Sequence, residues 1–276
     1  MSYMRFAKMH GAGNDFIVAD QTASPRRFTP DRVRALCDRK RGIGADGLIL
    51  LSRSGMPDRD VVRMEFFNCD GSPASMCGNG LRCAAAFAVR RCLAPGPDVS
   101  FLTPAGLLRT RVLQDQLVRI ELPLDGQGFR TVELSGGLRA EAGTVGVPHA
   151  VVFVKDPAET DVETLGRMIR HHEAFQPEGT NADFLPEDYD PAGEIPIRTY
   201  ERGVEAETLA CGTGAGAAAY VLRARHPERN SFLLKTRSGD VLEISFPEGW
   251  ETMKRMHLTG PAIESFHGAT DAFDLD

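Results

Sequence analysis

A cysteine followed by glycine, a polar residue and a second glycine occurs twice in this chain, as CGNG (Cys77–Gly80) and CGTG (Cys211–Gly214), and each copy opens an alanine-rich run. A thiol at a helix N-terminus meets unsatisfied N–H groups and the positive end of the helix dipole, which stabilise the thiolate and draw its pKa from about 8.5 toward about 3.5 to 7.5. Gly78, Gly80, Gly212 and Gly214 let the backbone come close to an anion, so that N–H groups from both helix ends can hold a carboxylate. Held there, that carboxylate also has its developing negative charge stabilised when the neighbouring α-proton is removed. One thiolate abstracting on one face and one thiol donating on the other would invert the stereocentre. This is two-base racemase or epimerase chemistry, and it needs both sulfurs within about 3 Å, or a little more, of the moving proton. A single CGxG also reads as a tight strand-to-helix turn with an idle thiol; its recurrence at equivalent places favours the catalytic reading.

The two cysteines are 134 residues apart, and the same offset relates other segments. MEFFNCDGSPASMCGNG (Met64–Gly80) overlies RTYERGVEAETLACGTG (Arg198–Gly214) without a gap, and GNDFIVAD (Gly13–Asp20) overlies VPHAVVFV (Val147–Val154). GADGLI (Gly44–Ile49) overlies GTNADF (Gly179–Phe184) at an offset of 135. An internal duplication accounts for all of these matches. It predicts two α/β halves, residues 1–120 with Cys77 and 121–262 with Cys211, joined near the turn-rich LPLDGQGF (Leu122–Phe129), with residues 263–276 available to return to the first half. LLRTRVLQDQLVRIEL alternates polar and apolar residues around Gln114-Asp115 as a hairpin would. Asp31 and Asp161 are suited to cap amphipathic helices over Asp31–Lys40 and Asp161–Phe175. Duplicated elements facing each other across an interface would bring Cys77 and Cys211 to opposite sides of one small ligand.

Composition narrows the partners. The chain has 276 residues, 42% of them hydrophobic and 25% charged, which suits one large or two ordinary globular domains. A net charge of -6 disfavours nucleic acid as a partner. No apolar run reaches a membrane-spanning length and the first residues do not read as a signal peptide, so a cytoplasmic location is expected. Six cysteines without a CxxC pair point neither to zinc nor to a disulfide framework, and most are expected to be buried and idle.

With KMHGAGNDF, RGIGADGLI, FNCDGSPASMCGNGLRC, GTNADF and RTYERGVEAETLACGTGAG in this order, nearly the whole chain resembles the diaminopimelate epimerases, which are similar in architecture to proline racemase. The resemblance implies an α/β fold of α+β type, with two pseudo-symmetric halves, each a mostly antiparallel curved sheet around a central helix. It implies interconversion of LL- and meso-diaminopimelate without pyridoxal phosphate, metal or other cofactor, in lysine and cell-wall precursor synthesis, by a homodimer. By the same resemblance Cys77 and Cys211 are the acid/base thiols and His149 and Glu201 sit beside them. Gly78, Asn79, Gly212 and Thr213 would hold the reacting carboxylate and amine, while Asn14, Asn68, Asn181 and Arg202 would contact the substrate, several of them at its distal end. A guanidinium fork and side-chain amides suit a ligand with two carboxylates and two ammonium groups. Three positions depart from the family pattern: Val147 stands where asparagine is common, one extra residue lengthens the segment before Cys211, and Asp46-Gly47 replaces a polar contact of some relatives. A proline or hydroxyproline racemase, a thiol hydrolase using His149, and a non-catalytic anion-binding module are the other readings; proline racemases usually show CGHG and lack the ERG segment.

Overall fold

The computed structural model describes residues 3–55, 61–74, 77–114, 116–124 and 128–271, and it divides into two units, Met1–Ile120 with Gly260–Asp276 and Glu121–Thr259. In the first unit β1 (Met4–Gly11) and β2 (Asn14–Asp20) form a hairpin whose turn residues Ala12 and Gly13 both have positive φ, 55° and 96°, as a two-residue turn between twisted strands requires. α1 (Pro30–Cys37) crosses over to β3 (Gly47–Arg53), which runs parallel to β2. Its N-cap is Thr29, whose hydroxyl accepts from Arg32 N at 3.3 Å, because Pro30 takes the first helical position; Asp31 lies inside the first turn rather than at the cap. β4 (Val61–Asn68) is antiparallel to β3, and the short β5 (Pro73–Ala74) turns back on it.

α2 (Gly78–Arg90) is the centre of this unit, packing against β1, β2, β3 and the hairpin of β6 (Asp98–Thr103) and β7 (Gly106–Val112). Every residue from Asn79 to Ala88 is buried, so the alanine-rich run is not an amphipathic helix but one enclosed on all sides, where small side chains let the strands approach. β8 (Leu117–Pro123) completes the hairpin anticipated at Gln114, whose turn residue Asp115 lies outside the described residues.

The second unit repeats the plan. β9 (Arg130–Glu133), β10 (Arg139–Val145) and β11 (Val147–Val154) are antiparallel neighbours, and α3 (Val162–Arg170) crosses to β12 (Asn181–Pro186), parallel to β11. Asp161 does cap α3, accepting from Thr164 N at 3.1 Å. β13 (Glu194–Pro196) precedes β14 (Arg198–Glu201) and β15 (Ala206–Thr208), which extend the sheet antiparallel beyond β12. α4 (Gly212–Arg225) packs against β10, β11 and β12 and also against β16 (Ser231–Lys235) and β17 (Val241–Ser245). The short α5 (Trp250–Met253) leads to β18 (Arg255–Pro261), paired with β17, and β19 (Ile263–Thr270) returns to pair antiparallel with β1. The fold is mixed α/β, two related units of mostly antiparallel sheet, each around a buried helix. The chain leaves the first unit at Ile120 and re-enters it at Gly260, beside expected halves of 1–120 and 121–262; residues 125–127 of the turn between the halves lie outside the described residues.

Register tests the duplication. Phe16 pairs with Gly47 and Ala150 with Ala182, so the parallel pairs coincide at offsets of 134 and 135. The next pair does not: Gly47 lies opposite Asn68, but Ala182 lies opposite Tyr200 rather than Arg202. The ungapped overlay of Met64–Gly80 on Arg198–Gly214 therefore conceals a two-residue slip, which the longer turn after Glu201 absorbs. Among the described residues no helix is long and apolar enough to cross a membrane.

Candidate active site

Both motif cysteines occupy the same structural place, the N-cap of the central helix of their unit, with extended backbone at Cys77 (φ -143°) and Cys211 (φ -118°). In each case the next two residues, Gly78-Asn79 and Gly212-Thr213, form the first helical turn, where N–H groups lack intrahelical acceptors. All six cysteines are free thiols; Cys37 and Cys83 are buried, Cys77 and Cys211 partly so, and Cys69 and Cys92 exposed. The expectation that most would be buried fails because Cys69 and Cys92 sit in surface turns. Burial pushes the thiols of Cys37 and Cys83 up to about 12, so neither ionises near neutrality.

In the first unit Cys77 lines a narrow hollow with Met64, Phe66, Leu81 and Leu108. Behind it runs a chain of oriented amides. Arg82, with no exposed surface, donates from Nη2 to Asn79 Oδ1 (3.0 Å) and from Nη1 to Gly78 O (3.4 Å). Asn79 Nδ2 donates to Asn14 Oδ1 (2.5 Å), and Asn14 Nδ2 donates to Asp46 Oδ2 (3.1 Å). Asp46 and Asp15 are tied together by Arg39, which reaches both at 2.7 Å, and Lys8 bridges to Asp15 at 2.7 Å. Burial alone would raise the Asp15 carboxyl, but Arg39 and Lys8 hold it well below the usual carboxylate range. Asn68 donates to Ser72 Oγ at 3.0 Å in the turn after β4, opposite Gly47 and one residue before Cys69, whose N–H donates to Asp46 O at 3.0 Å.

The second unit assembles different chemistry at matching positions. Cys211 Sγ accepts from Gly214 N at 3.3 Å and lies 3.4 Å from Thr213 Oγ1. Helix-end donors alone would lower its pKa; instead burial first, then the charges of Glu201 and Asp183, push the thiol well above its ordinary range. Cys211 thus rests protonated, hydrogen-bonded to the Glu201 side chain. Glu201 is itself raised by burial, against the hydrogen bonds from Thr208 (2.6 Å) and Cys211. His149 is buried with Nδ1 2.7 Å from Asp183 Oδ2, and its Nε2 lies 3.4 Å from Asn181 Nδ2. Asn181 Oδ1 accepts from Arg202 N at 2.7 Å, so this amide, expected at the substrate, is engaged by the protein on both sides. Arg202 follows Glu201 in a turn where Gly203 (φ 91°) and Glu205 (φ 59°) are left-handed, the way the extra residue before Cys211 is accommodated; its Nη1 reaches Glu178 O at 3.4 Å. Val147, at the start of β11, pairs with Val145.

The motif glycines serve the core as well as the helix ends. A Cβ at Gly214 would stand 2.2 Å from Asp183 Oδ1, and one at Gly80 3.1 Å from Ile49 Cδ1. His149 and Glu201 both belong to the second unit, with Glu201 on the Cys211 thiol. Motif reading does not single out Asp183, Thr199 or Arg82, although each lies within or beside a quoted motif; strand alternation places Asp183 on the same face as Asn181, a signal the sequence carries. Among the described residues no group of three or more His, Cys, Asp or Glu is placed to hold a metal ion.

Comparison with known proteins follows the same lines. The family profile described as diaminopimelate epimerase matches residues 6–122 and 142–262. A diaminopimelate epimerase of Aquifex aeolicus is 42% identical over 279 residues, covering 96% of this chain and 97% of the relative. Among solved structures, a phenazine biosynthesis protein of the PhzF family from Bacillus anthracis superposes with a TM-score of 0.71 at 14% identity, covering 98% of this chain and 99% of that one. A probable proline racemase from Agrobacterium radiobacter superposes with a TM-score of 0.66 at 19% identity, covering 99% and 94%. These two likenesses are of fold, which several chemistries share; the sequence match is specific, and the chain belongs to the diaminopimelate epimerase family.

Proposed function

We propose that this chain epimerises LL-diaminopimelate to the meso isomer and back, with Cys77 and Cys211 as acid and base on opposite faces of the α-carbon. The observation that carries the mechanism is the equivalent placement of the two thiols, each the N-cap of the buried helix of a duplicated unit. In this reading N–H groups of the first turns at Gly78-Asn79 and Gly212-Thr213 hold the reacting carboxylate. Cys211, protonated at rest, is set as the acid; to act as base it passes its proton to Glu201, which already accepts its hydrogen bond. His149, with Nδ1 held by Asp183, offers Nε2 as a second proton-transfer group. Arg202 and the amide of Asn14 supply donors for the distal carboxylate and acceptors for ammonium, with Asn68 and Asn181 as further contacts. A cytoplasmic homodimer acting without added cofactor, in lysine and cell-wall precursor synthesis, completes the reading.

A thiol hydrolase is disfavoured because the Cys211 sulfur meets Gly214 N, Thr213 and the charge of Glu201 rather than His149, whose Nε2 lies 3.4 Å from Asn181 Nδ2. The test is incubation of the protein with LL-diaminopimelate in deuterated water, following α-deuterium and stereochemistry by NMR beside Cys77→Ala and Cys211→Ala. Deuterated meso product that disappears in both variants is expected. A folded, reduced protein that produces no exchange would refute the reading, and the same assay with proline would then distinguish a racemase from a binding module.

A further inference from the structure

Asp183 is a buried carboxylate that the duplication does not require, since the equivalent position in the first unit is Leu48. It sits on β12 two residues beyond Asn181, so both project from the same face of the strand toward β11, where His149 pairs with Asn181. Its Oδ2 lies 2.7 Å from His149 Nδ1, and its Oδ1 accepts from the hydroxyl of Thr199, its partner across β14, at 2.8 Å. The first turn of α4 closes over it at Gly214, where the absence of a side chain leaves room for the carboxylate. We propose that Asp183 is a positioning residue for proton transfer, fixing the His149 ring and keeping a proton on Nδ1 so that Nε2 presents a lone pair, which accepts from Asn181 Nδ2 at 3.4 Å until a proton is transferred to it.

The electrostatics are consistent with this geometry. A carboxylate on Nδ1 selects the tautomer and offsets the positive charge when Nε2 takes up a proton, without itself becoming protonated. The titratable groups grouped around this pair are Glu201 at the end of β14 and Cys211 at the cap of α4, and the charge of Asp183 helps to raise both. One carboxylate therefore holds the imidazole through Oδ2 while its charge reaches the Cys211–Glu201 pair. Glu201 is bound through Thr208 and Cys211, so the two carboxylates have separate partners.

This inference rests on the epimerase reading for its kinetic consequence but not for its structural one, and the experiment separates them. Asp183→Asn and Asp183→Ala are compared with wild type for kcat, KM and the pH profile in the epimerase assay, and the His149 ring is followed by nitrogen-edited NMR. The expected result is a loss of roughly 10- to 100-fold in kcat, part of the whole contribution of a general acid/base, with KM changed less than about threefold and one limb of the pH profile displaced. The slowly exchanging Nδ1–H resonance present in wild type should vanish in Asp183→Ala. In a His149→Gln background the Asp183 substitution should cost far less than in wild type, because most of its effect passes through the imidazole and only its charge on Cys211 and Glu201 remains. A folded Asp183→Asn with wild-type kcat and pH profile would overturn the proposal, as would a wild-type His149 protonated on Nε2 alone. A wild type that fails to epimerise would overturn the function and leave the NMR result to decide the role of Asp183.

Discussion

Glu201→Gln separates two effects of one carboxylate on Cys211. As an anion beside the sulfur, Glu201 disfavours thiolate; as an acceptor, it takes the thiol proton when Cys211 must act as base. A unit charge at roughly 4 Å in an effective dielectric of about 20 is worth about 4 kcal/mol, an upper limit near 3 pH units. The Thr208 hydroxyl already draws on that charge, so the Cys211 titration midpoint is expected to fall in the variant, by less than that limit. The proton acceptor is lost at the same time, and epimerisation should fall by roughly 10² to 10⁴ even though more thiolate is present. The assay is iodoacetamide alkylation against pH, resolved by peptide mass spectrometry so that exposed Cys69 and Cys92 do not interfere, in a Cys77→Ala background, beside turnover in the otherwise wild-type chain. A midpoint that stays or rises would refute the charge placed beside the thiol. A lowered midpoint with turnover within threefold of wild type would refute Glu201 as acceptor.

Removing one thiol should abolish inversion but leave wash-in of deuterium on a single stereoisomer, a different one for Cys77→Ala and Cys211→Ala, which NMR of recovered substrate would show. Gly214→Ala forces a methyl onto Asp183 Oδ1, so activity should fall at least tenfold with a loss of about 1 to 3 kcal/mol in denaturant unfolding. Arg82→Met leaves acceptors at Gly78, Asn79 and Pro261 without the guanidinium; each costs about 1 to 3 kcal/mol if unmet, and KM should rise as Asn79 and Asn14 lose their fixed orientation. Asp15, depressed by Arg39 and Lys8, binds a proton more readily unfolded than folded. Its stabilisation is present above about pH 4 and lost as pH falls toward the folded value, so Asp15→Asn should flatten that acid limb in urea titrations.

The placement of the two cysteines at helix N-caps and the duplicated halves were legible because they rest on local grammar: a capping residue, glycines where a helix begins, and an alanine run that forms helix readily and lets strands approach closely. Other features depended on contacts that no local pattern records. The ionisation of Cys211 could not be read from its helix end, since burial, Glu201 and Asp183 outweigh the helix-end donors. Thr29 displaced Asp31 as a cap because Pro30 is better placed one residue later. The two-residue slip at β14 was invisible in an ungapped overlay because strand register is set by side-chain faces, and a shift by two keeps every face unchanged.

That slip bears on how two copies of one unit came to differ chemically. In the first unit the neighbours Asp15 and Asp46 are both anionic and need Arg39 and Lys8 to hold them together, leaving Asp46 to orient Asn14. In the second, the equivalent neighbours are His149 and Asn181, and the slipped β14 brings Thr199 opposite Asp183 and ends at Glu201 beside the thiol. The same backbone thus carries a chain of linked amides from Asn79 in the first unit and a cluster of titratable groups around Cys211 in the second, which the proposed function reads as a grip and a proton-handling set. If that division holds, exchanging the chemistry locally should fail in a particular way. Asp46→Asn, which removes one anion from the grip, should raise KM with little change in kcat, whereas Glu201→Gln should lower kcat with little change in KM. Equal effects of both substitutions on kcat alone would mean that the two units share the proton-handling task, and the assignment of grip to one and titration to the other would be wrong.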